Sequence, residues 1–180
     1  MTNLLNPSAR DPLLLSTTWL LRAIQALLLL GVTLLLLAVP FLIFFNAEIL
    51  AEIAKEEPRM NGLTSTFPLV ALITSAALAC AVAFQFVRTL LAVIQTVKDG
   101  DPFIAQNATR LETMGWLALA IQIIGMVVGG IAIWASALIA EDWGDFEIDL
   151  SGIVLILLLF ILARVFRAGA AMRDELEGTV

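Results

Sequence analysis

Twenty-eight consecutive uncharged residues, from position 113 to position 140, separate Glu112 from Glu141. A helix of about 20 mostly apolar residues already crosses the ~30 Å hydrocarbon core of a bilayer. Uncharged runs also occupy residues 23–47 and 60–87, and a shorter one of 14 residues occupies 150–163. We therefore predict an all-α, polytopic membrane protein with four transmembrane helices.

The composition agrees with a chain that is mostly embedded in lipid. Apolar residues make up 61% and charged residues 14% of the 180 positions, whereas an average soluble domain is about half apolar and about a quarter charged. This leaves no room for a separate soluble domain. We predict one membrane domain over residues 1–180, with spans near 21–46, 63–88, 112–140 and 151–172.

The sequence lacks residues that metal binding, acid–base catalysis and disulfide formation commonly require. The chain has no histidine, which removes His ligation of metals and His general bases, and its one cysteine, Cys80, cannot form an intrachain disulfide. No ionisable residue lies in the middle of a span, where it would indicate function. We predict no catalytic residue, no metal site and no cofactor.

The distribution of Lys and Arg predicts the orientation, since cytoplasmic loops of membrane proteins are enriched in both. Two basic residues, Lys55 and Arg59, fall in the first connection and none falls in residues 141–149. The other eight lie in the N-terminal segment, the middle connection and the C-terminal segment: Arg10, Arg22, Arg88, Lys98, Arg110, Arg164, Arg167 and Arg173. We expect both termini and the middle connection to be cytoplasmic.

The most specific local pattern is the turn that follows Lys98. Gly100 suits the left-handed residue that ends a helix. Asp101 is a candidate N-cap for the next helix, and Pro102 suits its first position. After the turn, Phe103 and Asn107 begin a stripe at helical spacing. The pattern predicts that helices 2 and 3 form one long antiparallel hairpin that projects into the cytoplasm.

Counting outward from Gly100 predicts which residues of the hairpin face each other. Arg88 and Glu112 each lie 12 residues from Gly100 and would pair, with Arg110 as a competitor for Glu112. Counting in the same way places Ser75 of helix 2 opposite Gly125 of helix 3. Gly129 lies one turn after Gly125 on helix 3. Small residues allow close helix packing in lipid. Chance occurrence of small residues in an apolar helix is the alternative.

The turn also carries a resemblance to a known family. The residues Gly100-Asp101-Pro102-Phe103, Asn107, Arg110-Leu111 and Gly115-Trp116, and near the end of the chain Phe166 and Arg167-Ala168-Gly169, resemble a bacterial four-helix membrane family known as domain of unknown function 2975. The resemblance implies a multi-pass protein of the bacterial inner membrane. Members are often encoded beside a small helix-turn-helix regulator, and the family has no established catalytic residues to transfer.

The resemblance to a family without established catalytic residues, together with the absence of charged residues in the middle of the spans, favours a binding role over an enzyme. We expect a regulatory or scaffolding partner of a cytosolic protein, with a helix-turn-helix transcription regulator as the candidate, and no direct contact with nucleic acid. The alternative is a small transporter or channel, or an accessory subunit of a membrane complex. Homo-oligomer formation stays open, as does cation binding by the acidic residues of 141–149, although a solvated loop is the simpler interpretation.

Overall fold

The computed structural model describes residues 12–45, 62–140 and 150–177. These residues form four helices: α1 (Pro12–Phe44), α2 (Gly62–Lys98), α3 (Ala105–Ala140) and α4 (Leu150–Glu177). The described parts of the chain contain no strand. The prediction of an all-α fold is confirmed, and the acidic residues of 141–149 lie outside the described residues.

Each of the four helices is long and apolar enough to cross a membrane. The candidate spans are Leu13–Phe44, Leu69–Lys98, Ala105–Ile133 and Leu150–Leu176. The helices are longer than the predicted spans, most clearly where α2 runs on to Lys98 and α3 begins at Ala105. The chain is thus a multi-pass membrane protein by length and composition of its helices.

The chain divides into two compact units. Among the described residues, the first unit holds 12–27, 83–120 and 150–177, and the second holds 28–45, 62–82 and 121–140. The first unit contains the beginning of α1, the turn between α2 and α3, and all of α4. The candidate functional site described below lies entirely in this first unit.

The core of the first unit is a cluster of buried apolar residues between α3 and α4. On α3, Leu111, Met114 and Ala118 recur at spacings of three and four residues, as one face of a helix requires. The matching stripe on α4 is formed by Ile156, Leu159 and Ala163, and all six side chains are at most 9% exposed. This packing fixes α4 against α3.

Close approach of the two helices depends on a small residue at one point. Gly115 of α3 is buried, and a Cβ added there would lie 3.1 Å from ring atoms of Phe160 on α4. The Phe160 ring also makes an edge contact with Trp116, with centroids 5.4 Å apart. The close approach of α3 at Gly115 is therefore to an aromatic ring of α4, and the small-residue pattern of the sequence did not predict it.

In the second unit, the close packing that the sequence predicts at Gly125 is not found. Gly125 is exposed, and a Cβ added there would meet no atom within 4 Å. The prediction of close packing at Gly125 is therefore wrong, whereas that at Gly129 stays a prediction. A different small residue, Gly31 of α1, faces α2 here, where its added Cβ would lie 3.9 Å from Sγ of Cys80.

Candidate functional site

The turn at the end of α2 has the conformation that its glycine predicts. Gly100 has φ +84°, a left-handed value that glycine adopts without the steric cost that a Cβ imposes. Its N–H donates to the carbonyl of Val97 at 3.1 Å, and the N–H of Asp101 donates to the carbonyl of Thr96 at 3.0 Å. These two bonds form a Schellman motif, and the role of Gly100 is confirmed.

The second half of the turn differs from the prediction. Helix α3 begins at Ala105, so Asp101 is not its N-cap and Pro102 is not its first residue. Instead, residues 101–104 are non-helical. The carboxylate of Asp101 accepts a hydrogen bond and ion pair from Arg173 of α4. The capping prediction is wrong because the four non-helical residues place Asp101 too far before the first residue of α3.

Asn107 holds the connection together from within. It is 0% exposed and is the one buried polar residue in the described parts of the chain. Its Nδ2 donates to Oγ1 of Thr96 at 2.6 Å and to the carbonyl of Pro102 at 2.8 Å. Its Oδ1 accepts from Nη1 of Arg110 at 2.9 Å. One side chain thus joins the end of α2, the connection and the start of α3.

Two of the predicted interaction residues are engaged in this network or beside it. Arg110 also donates from Nη1 to the carbonyl of Ala92 on α2 at 3.3 Å. Nζ of Lys98 donates to Oγ1 of Thr18 on α1 at 2.5 Å. Both side chains are part-buried, so they hold three helices together and are poor candidates for charges offered to a partner.

The predicted pairing of Glu112 is wrong. Its Oε2 accepts from Nη2 of Arg167 on α4 at 2.6 Å, and within the described residues Arg88 has no polar partner. The register explains this, because Thr96 faces Asn107 and the midpoint of that pair lies between residues 101 and 102. The reflection point is therefore beyond Gly100, because the connection contains four non-helical residues after it.

Phe103 links the connection to α4 while leaving part of its ring accessible. Its centroid lies 5.2 Å from that of Phe166, and a Cβ added at Gly169 would lie 3.0 Å from its Cδ1. The side chain is nevertheless 45% exposed. Phe103 therefore packs on α4 with one part of its ring and leaves the rest accessible to a binding partner.

A groove of about 240 Å³ opens between the connection and the end of α4. We call it the tip groove; it is lined by Asp101, Phe103, Ile104, Ala105, Arg173 and Asp174. Ion pairing between Asp101 and Arg173 joins its two walls. The groove combines an aromatic side chain and an arginine, two residue types that are enriched at protein interfaces, with two carboxylates.

The α4 residues of this site were not among the predicted interaction residues. Phe166, Gly169 and Arg173 recur at spacings of three and four residues, which places them on one face of a helix. That spacing, together with the family resemblance at Phe166 and Gly169, is the signal that could have found them. Within the described residues, no group of three His, Cys, Asp or Glu side chains could hold a metal ion.

Comparison with known proteins identifies a family and nothing more specific. A family model described as "Protein of unknown function (DUF2975)" matches residues 49–180. No curated protein and no solved structure matches the chain. The matched region includes the whole of the tip groove. The chain belongs to the DUF2975 family.

Proposed function

We propose that this protein is a regulatory or scaffolding partner of a cytosolic protein, held in the bacterial cytoplasmic membrane, and that the tip groove binds that protein. A helix-turn-helix transcription regulator is the candidate, and the proposed role is non-enzymatic. The observation that carries the proposal is the tip groove itself, a preorganised surface with an exposed aromatic ring.

The distribution of positive charge supports a cytoplasmic position for this surface. All seven Lys and Arg residues in the described parts of the chain belong to the first unit: Arg22, Arg88, Lys98, Arg110, Arg164, Arg167 and Arg173. That unit also holds the turn between α2 and α3. By the positive-inside rule, these segments would face the cytoplasm, and the hairpin of α2 and α3 would project there.

The rigidity of the tip groove supports a binding role. Binding is weakened by the cost of ordering side chains and loops. One wall of the groove is held by the Schellman motif at Gly100 and by Asn107, and the other is a continuous helix that packs on α3. A partner would therefore meet a surface that is already ordered.

The size of the groove favours a protein over a small molecule. Pockets for small ligands usually enclose about 300–1,000 Å³ and bury most of the ligand. The tip groove, at about 240 Å³, is smaller than this range. Insertion of a side chain from a partner, next to the exposed ring of Phe103, fits the available space better, and aromatic residues are enriched in such contacts.

Photocrosslinking in cells tests the proposal directly. A photoreactive amino acid at Ala105, an exposed residue that lines the groove, should form an adduct with a soluble protein. The same amino acid at Leu158, which is 51% exposed on the apolar part of α4, is the matched control and should form none. Mass spectrometry of the adduct would identify the partner and test whether it is a helix-turn-helix regulator.

A charge change separates specific binding from general attraction to the surface. Asp174 is exposed and lines the groove, so Asp174→Arg should strongly reduce the adduct at Ala105. Arg88→Gln alters the charge of an exposed residue outside the groove and should leave the adduct intact. Equal yields of the Ala105 adduct in the otherwise unchanged protein, in Asp174→Arg and in Arg88→Gln would contradict the proposal.

Other outcomes point to the alternatives. An adduct at Ala105 with an integral membrane protein would favour an accessory subunit of a membrane complex. Gln85 of α2 and Gln122 of α3 are polar residues within candidate membrane spans. If their apolar substitution abolishes a solute flux while Asp174→Arg has no effect, a small transporter or channel is favoured.

A further inference from the structure

A second groove, of about 400 Å³, lies on the first unit between α3 and α4. We call it the arginine groove. Its lining includes Leu157, Phe160 and Ile161 on one side and Glu112, Arg164 and Arg167 at its polar end. Apolar wall and charged end thus meet in one groove on helices that are long enough to cross a membrane.

The charged end of the groove carries an excess of positive charge. Arg167 pairs with Glu112 at 2.6 Å, but both side chains remain about half exposed. Arg164 is exposed, and among the described residues it has no hydrogen-bond or ion-pair partner. The charged end of the groove therefore holds two guanidinium groups and one carboxylate, and the planar donors of guanidinium are well suited to phosphate oxygens.

The apolar wall continues from these charges in the direction of the span. Leu157 and Ile161 lie seven and three residues before Arg164, on the same face of α4. At a rise of 1.5 Å per residue, Leu157 is about 10 Å from the level of Arg164. Both side chains are exposed, at 57% and 60%, so they would contact a hydrocarbon chain that lies along the helix.

A tryptophan beside the groove marks the same level of the helices. Trp116 lies one turn beyond Glu112, is 59% exposed, and contacts the ring of Phe160 that lines the groove. Exposed tryptophan is enriched where a membrane meets water. Arg164 directly follows the 14 uncharged residues at 150–163. The charged end of the groove therefore corresponds to the level of lipid headgroups.

We propose that the arginine groove binds one anionic phospholipid of the surrounding leaflet. Arg164 and Arg167 contact its phosphate, and an acyl chain lies along Leu157 and Ile161. Basic pockets between transmembrane helices are suited to such headgroups. The charge excess favours an anionic lipid over a zwitterionic one, and the apolar wall favours a lipid over a free phosphate ion. Glu112 competes with the phosphate for Arg167.

Lipid titration of the purified full-length protein in detergent, followed by native mass spectrometry, tests this inference. Phosphatidylglycerol should bind with one tight site, whereas phosphatidylcholine should bind much more weakly. Inorganic phosphate at millimolar concentration should not displace the phosphatidylglycerol. Equal binding of the two lipids, or displacement by inorganic phosphate, would overturn the proposal, the latter in favour of a free-anion site.

Substitutions in the groove should change the affinity in opposite directions. Arg164→Gln should weaken phosphatidylglycerol binding about fivefold or more, since one basic residue near a membrane surface contributes about that factor. Glu112→Gln should strengthen binding, because it releases Arg167. Arg88→Gln removes an equal charge from an exposed position outside the groove and should have no effect.

A further variant tests the apolar wall separately from the charges, and a folding control accompanies all variants. Leu157→Trp places a larger side chain against the apolar wall without changing the charge, and it should also weaken binding. All variants should elute as wild type in size-exclusion chromatography, because each substituted side chain is at least partly exposed. Wild-type affinity in both Arg164→Gln and Leu157→Trp would overturn the proposal.

Discussion

Asn107 and Thr96 are joined across the turn between α2 and α3 by a 2.6 Å hydrogen bond from Nδ2 to Oγ1. The hydroxyl of Thr96 donates in turn to the carbonyl of Val93 at 2.7 Å. Because Asn107 is fully buried, water cannot replace a bond that is lost here. This pair sets the register of the two helices.

We expect Asn107→Asp to destabilise the protein although the shape of the side chain is conserved. The carboxylate can still accept from Arg110, but it cannot donate to Thr96 or to the carbonyl of Pro102. A buried group left without its partner costs about 1–3 kcal/mol. Thermal unfolding in detergent, followed by tryptophan fluorescence, measures the loss. Thr109→Ala, which removes only an exposed 3.5 Å bond to Ala105, is the control, and equal effects would contradict the role of Asn107.

Alanine substitutions at two glycines should have different effects because the backbone differs. Gly100 has a left-handed φ, so Gly100→Ala should cost about 1–2 kcal/mol. Gly125 is helical and meets no atom within 4 Å of an added Cβ. Gly125→Ala should therefore be neutral or slightly stabilising, by at most about 1 kcal/mol. Unfolding of the two variants in the same detergent compares them, and a loss at Gly125 comparable to that at Gly100 would refute this distinction.

The contact between Gly115 and Phe160 should be sensitive to added volume. Gly115→Ala places a Cβ at 3.1 Å from the ring, and overpacking of this kind costs about 1–3 kcal/mol. Phe160→Leu should relieve part of that cost. A double-mutant cycle measures the coupling, which we expect to be at least about 0.5 kcal/mol. Strict additivity of the two substitutions would show that the ring moves aside freely.

The proposed orientation has its own test. In a Cys80-free background, a cysteine at Gln106 should be protected from a membrane-impermeant reagent in intact cells and should react after the membrane is opened. A cysteine at Asp145 should react in intact cells, because the acidic connection is expected to lie outside. The reverse pattern would invert the topology and remove the cytosolic partner from consideration.

Much of the architecture follows from the sequence because its causes are local. An uncharged run that is long enough to cross lipid must do so as a helix, whatever it packs against, and residues 23–47, 60–87 and 113–140 are such runs. The run at 150–163 reaches this length only if the helix continues past Arg164, which gives the fourth span.

The position of Gly100 is similarly local, since a left-handed residue strongly favours glycine. In the predicted stripe that begins at Phe103 and Asn107 and continues through Leu111 and Met114, the last three residues are buried because helical spacing places them on one face of α3. Phe103 is exposed and lies before α3 begins, so the stripe is confirmed only from Asn107 onward.

Tertiary structure decided which residues meet. The four non-helical residues after Gly100 move the reflection point of the hairpin, so that Asn107 faces Thr96 rather than Val93, a shift of about 4.5 Å along the helix. Glu112 and Asp101 then bind arginines of α4, more than fifty residues away in the chain. Local patterns predict where helices begin and which face is apolar. They do not determine register or the partner of a long charged side chain, because both depend on the packing of helices that are distant in sequence.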